Sequence, residues 1–134
     1  MLSPQAALVY TMVVAAEADD ELEEIEARLI GDLVAHLPVF RGISRHSLAK
    51  MAAACADALT GPEARDRVLG EIAAALTPDL RETAYALARD VIGIDSRLSR
   101  AEVGALDRIA DRLGIDPETA RAIERAAEIR YRAA

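Results

Sequence analysis

The sequence contains no tryptophan, one phenylalanine and three tyrosines in 134 residues, so aromatics amount to 3% of the chain. Hydrophobic residues nevertheless reach 52%, which leaves Ala, Leu, Ile and Val to build the core. Such small and unbranched-to-branched aliphatic side chains suit closely packed helices. Cysteine is nearly absent too. Cys55 is alone, which excludes an internal disulfide, and its place between Ala54 and Ala56 in a helical apolar pattern marks it as a small buried hydrophobe. A reducing, cytoplasmic setting is expected. The longest apolar run, Ala6 to Ala16, falls short of the roughly 20 residues that a membrane helix needs. It has no basic flank and is followed by acids, so neither a membrane span nor a signal peptide is expected.

Basic charge is missing where acid is concentrated. The net charge of −7 arises entirely between Met1 and Ala35, where eight acids face one base, Arg28; fifteen of each sign balance over the remainder. No basic stripe compensates, so a phosphate backbone would be repelled and nucleic-acid binding is not expected. Catalytic signatures are equally scarce. The chain has no Gly-rich phosphate loop and no G-x-S-x-G turn. His36 and His46 stand ten residues apart without the companions of a zinc site, and read as surface or helix-end histidines. The chain is therefore expected not to be an enzyme.

What is present is helical periodicity almost throughout, divided by caps and breakers into about seven segments within one domain, 1–134. Ser3-Pro4 starts the first, which runs to about Glu17. The second carries Leu22, Ile25, Leu29 and Leu33 on one stripe and ends near His36, ahead of Pro38. Ser44 caps a third, with Leu48, Met51, Ala52, Cys55 and Leu59 on its inner face. Gly61-Pro62 begins a fourth along Val68, Ile72 and Leu76. Thr77-Pro78 begins a fifth, whose Leu80, Ala84, Leu87 and Val91 make the cleanest stripe. The "SRAE" at Ser99 has capping-box spacing and opens a sixth on Leu106, Ile109 and Leu113, ending at Gly114. Asp116-Pro117 opens the last, on Ala120, Ile123 and Ala127. The fold class expected is all-α, a compact helical bundle.

The chain also resembles itself. "ADDELEEIEARLIGDL" from Ala18 aligns with "IDSRLSRAEVGALDRI" from Ile94 at a constant offset of 76, and each copy reads Asp-x-x-Leu-x-x-x-Glu at a junction between helices. Asp19 matches Asp95, and Glu26 matches Glu102. The spacing is that of the second half of an EF-hand loop, but Ala15, Glu17, Val91 and Gly93 occupy the places of the early oxygen ligands. One copy alone makes a poor site. Two brought together about a pseudo-two-fold axis offer four carboxylates, Asp19, Glu26, Asp95 and Glu102, to one hard divalent cation such as Ca²⁺, Mg²⁺ or Mn²⁺. The competing explanation is local: Glu102 completes a capping box with Ser99, Glu26 lies in an acidic first turn, and the two aspartates stabilise turns. Asp20, Glu21, Glu23 and Glu24 have no acidic counterparts in the second copy and read as solvated charge.

Paired Asp-Gly-x-aliphatic-x-x-x-Glu patterns at helix junctions of a small, acidic helical protein resemble the tellurite resistance TerB-like family. The matching stretches are "ADDELEEIE" and "IDSRLSRAE", with "LDRIADRLGID" from Leu106 as a continuation; Asp20 and Ser96 stand where the family has its turn glycine. The resemblance implies a seven-helix bundle with internal pseudo-symmetry and a metal-binding acid cluster. It also implies partners among other stress and tellurite-resistance proteins, some of them membrane-bound. The alternative is an acidic interaction adaptor that recognises a basic partner and binds no specific metal.

Overall fold

The computed structural model describes residues 1–18, 23–95 and 97–134, with Asp95 described by its backbone alone. Among them are seven α-helices and no strand: α1 Pro4–Ala16, α2 Glu24–His36, α3 Arg45–Ala58, α4 Ala64–Ala75, α5 Pro78–Ile92, α6 Arg100–Leu113 and α7 Pro117–Arg130. Single 3-10 turns occupy Pro38–Phe40 and Gly93–Asp95.

The helix starts follow from local chemistry. Ser3, Ser44, Thr77 and Ser99 each accept a backbone amide of the following first turn, and Asp116 accepts two. Each such bond satisfies a donor that the helix itself cannot. Proline follows Ser3, Thr77 and Asp116 directly, where its missing amide costs nothing. Gly114 ends α6 at φ +66°, a left-handed geometry that glycine adopts without strain. α4 begins later than its sequence signals: the first helical residue is Ala64, preceded by Glu63 at φ +60°.

α1 is the axis of the molecule. Every residue from Ala6 to Ala16 is buried, as expected of a helix apolar on all sides. It touches α2, α3, α4, α5 and α6, whereas α7 packs chiefly on α5. Leu8, Val9 and Met12 are fully enclosed, and Thr11, enclosed with them, turns its hydroxyl back to donate to Ala7 O at 2.8 Å. Around it, Val68, Leu69 and Ile72 of α4, Ala84, Ala88 and Val91 of α5, and Leu106, Ile109 and Leu113 of α6 complete a single cluster.

One expected face is turned. α2 buries Glu26, Ile30 and Val34, leaves Leu29 and Leu33 half-covered, and exposes Ile25 by 48%. The stripe is rotated one residue from the Leu22, Ile25, Leu29 and Leu33 line, and Leu22 lies outside the described residues. The reason is at the helix start. Glu26 must lie inward to reach back to the amide of Glu23, and i+4 spacing then carries Ile30 and Val34 inward with it.

Candidate functional site at two acidic helix junctions

The first junction follows α1. Glu17 caps that helix through its amide, which bonds to Val13 O at 3.0 Å, and Ala18 remains buried. Asp19 lies outside the described residues, as do Asp20, Glu21 and Leu22. The chain resumes at Glu23, whose amide donates to Glu26 Oε1 at 3.1 Å. Glu23 and Glu24 are exposed, and Glu26 is 9% exposed.

The second junction follows α5. After the Gly93–Asp95 turn, Ser99 N donates to Glu102 Oε1 at 2.9 Å, while Glu102 N donates to Ser99 Oγ at 3.0 Å. This is the reciprocal capping box that "SRAE" announces. Glu102 is 7% exposed. The Asp95 side chain lies outside what is described.

Glu26 and Glu102 thus hold the same post, third residue of a helix, with one carboxylate oxygen on the capping amide. They are also the only acidic residues buried as a whole among the described residues. Glu24, Asp66, Asp79 and Glu118 occupy first turns as well, but none of them is buried. Among the described residues no three His, Cys, Asp or Glu side chains gather around a common point; the two aspartates needed to complete such a group are not among those side chains.

Beside the first junction stands a carboxylate that sequence patterns did not single out. Glu17 Oε2 is buried without a hydrogen-bond partner. Burial pushes its carboxyl above the ordinary glutamate range, and the Arg65 guanidinium pulls only partly the other way. Cys55 lies close enough to feel it: burial first, and the Glu17 charge second, push the thiol up to about 12. A thiol so held is inert at neutral pH, consistent with its reading as a small core hydrophobe. His36 and His46 are both exposed; His36 Nδ1–H donates to Asp32 O at 2.8 Å at the end of α2.

A second charged group was also hidden by its helical position. Arg89 of α5 is 5% exposed, pairs through Nε with Glu124 of α7, and leaves Nη1 buried without a partner. It fits because Gly93, four residues on, has no side chain: a Cβ there would lie 1.8 Å from Nη1 and 3.1 Å from Cζ. Tyr85, one turn earlier, has its phenol pushed up by burial and then by Glu124 and Asp107, against the pull of Arg89. The only sequence signal for this cluster is the pairing of an inward arginine with a glycine one turn later.

No helix among the described residues is long and apolar enough to cross a membrane. Comparison with protein-family models, with curated proteins and with solved structures found no match.

Proposed function

We propose that the chain is a non-enzymatic TerB-like module of stress or tellurite resistance. Its two acidic junctions hold one hard divalent cation through Asp19, Glu26, Asp95 and Glu102. The observation that carries this reading is selective burial. Of all the acids described, the two that the internal repeat pairs, Glu26 and Glu102, are the ones buried as whole residues, and Glu17 beside the first junction encloses one oxygen. Glu24, Asp66, Asp79 and Glu118, first-turn acids that the repeat does not pair, are not buried. Hard oxygen donors of this kind suit Ca²⁺, Mg²⁺ or Mn²⁺, and the bound ion would offset the repulsion among four carboxylates.

The pseudo-two-fold relation of the two junctions belongs to the same proposal. It is supported by the 76-residue offset and by the matching third-residue positions of Glu26 and Glu102. A second reading, an acidic adaptor, is favoured by one feature: Glu23, Glu24 and Ile25 are all exposed at the start of α2, as a surface for a basic partner would require. Calorimetric titration separates the two. Ca²⁺, Mg²⁺ and Mn²⁺ are added in turn to wild type and to Asp19→Asn combined with Asp95→Asn. Binding heat in the wild type that disappears in the double variant supports the cation site. Equal heats from both proteins reject it in favour of the adaptor.

A further inference from the structure

A groove of about 540 Å³ runs between α2 and α3 and belongs to neither junction. α2 contributes Arg28, Gly31, Asp32, Ala35 and His36 to one wall, and Arg45 and Leu48 of α3 stand on the other. The α2 wall carries an ordered charge pattern. Glu24, Arg28, Asp32 and His36 are spaced four residues apart, share one helix face and are all exposed. Their sequence of acid, base, acid and imidazole is complementary to its own reverse. Antiparallel apposition of two such helices brings Arg28 of each copy to Asp32 of the other. It also carries Glu24 of each toward the His36 end of the other, where the groove is lined by Arg45.

We propose that a second copy of this chain occupies the groove, forming a two-fold symmetric dimer through antiparallel α2 helices. A two-fold contact requires a patch that matches itself, and alternating signs on one helix supply that match where a uniformly acidic or basic partner would meet repulsion at every second residue. Three further observations agree. Arg28 pairs in the free chain with Glu24 at 3.1 Å, with side chains 73% and 88% exposed, a pair weak enough to exchange partners. Ile25 lies on the same face, three residues before Arg28 and seven before Asp32, and is 48% exposed; in the antiparallel pair it falls opposite Ala35. Gly31 has open space where a side chain would begin, so a second helix backbone can approach closely there. The charge of −7 on each copy opposes association at long range, and physiological salt screens that repulsion beyond about 8 Å while the close pairs persist.

The inference is independent of the cation reading, and its test is made with a chelator present at about 0.15 M salt. Light scattering coupled to size exclusion reads the mass in solution. Wild type is expected at twice the 14.3 kDa of one chain. Arg28→Asp sets like charges against Asp32 twice over and is expected to weaken association by at least about tenfold per pair, leaving a monomer. Arg28→Asp with Asp32→Arg restores both pairs in reverse and is expected to recover the dimer. Gly31→Leu fills the groove and is expected to give a monomer that melts no lower than wild type, because the added side chain meets only open space in the free chain. Circular dichroism confirms that each exposed substitution leaves the fold intact. A monomeric wild type, an unaffected dimer in Arg28→Asp, a folded double variant that remains monomeric, or a dimeric Gly31→Leu each overturns the proposal.

Discussion

At the scale of single residues, the groups that define this molecule are charges withdrawn from water. Glu17 is the clearest case, because one of its oxygens is buried with no donor to meet it. Burial raises its carboxyl pKa in the folded chain, so across the interval between the ordinary glutamate value and the raised one the native state holds a proton that the unfolded state has released. Its contribution to stability is therefore present at low pH and is lost as pH rises through that interval. Glu17→Gln removes the ionisation and is expected to unfold at a higher urea concentration than wild type at neutral pH. The advantage should shrink as pH falls through that interval and be gone below about 4.3, where the unfolded-state carboxyl is protonated as well. Urea midpoints of both proteins, compared pH by pH, check this; a constant difference would mean that Glu17 is not the titrating group.

At the scale of elements, the geometry of helix beginnings decides where faces point. Glu63 precedes α4 with φ +60° and no side-chain capping bond, a left-handed conformation that costs a residue with a Cβ about 1–2 kcal/mol. Glu63→Gly is expected to return about 0.5–1 kcal/mol after the added flexibility of the unfolded chain is counted, seen as a higher melting temperature. Loss of stability would show that the Glu63 side chain supports the turn.

The same scale explains what could be read from the sequence. Ser3-Pro4, Ser44, Thr77-Pro78, Ser99 to Glu102 and Asp116-Pro117 announced five helix starts correctly, because a cap is a contact among residues two or three apart. The inner face of α2 was not legible. Its apolar line through Ile25 looks as good as the one through Ile30 and Val34, and the difference lies in a glutamate drawn inward by a backbone amide. Arg89 was hidden for a related reason. A charge on the buried side of a helix is tolerated here only through an ion pair to Glu124, thirty-five residues away, and the space left by Gly93. Of the four candidate ligands, burial distinguishes Glu26 and Glu102 from their neighbours, as the internal repeat had.

At the scale of the whole molecule, the helices are not equally secured. α1 contacts five others and contains eleven consecutive buried residues, so its amides should exchange with solvent only when the entire chain unfolds. α7 is held differently. Ala127 is its one fully buried residue, Ala120 and Ile123 pack only half-buried against the core, and the ion pairs Glu124 to Arg89 and Arg130 to Asp90 tie it to α5. A helix with so little apolar surface at stake can open while the rest stays folded. Leu8→Ala tests the contrast, since Leu8 is wholly enclosed and its truncation should cost about 2–5 kcal/mol. Hydrogen exchange should then show α1 losing protection by that amount. α7 should exchange as it does in wild type, because its opening never required Leu8 to be exposed. Equal protection of α1 and α7 in wild type, or equal losses in Leu8→Ala, would mean that α7 folds as part of the central unit, and that its ion pairs contribute far more than exposed and half-buried pairs ordinarily do.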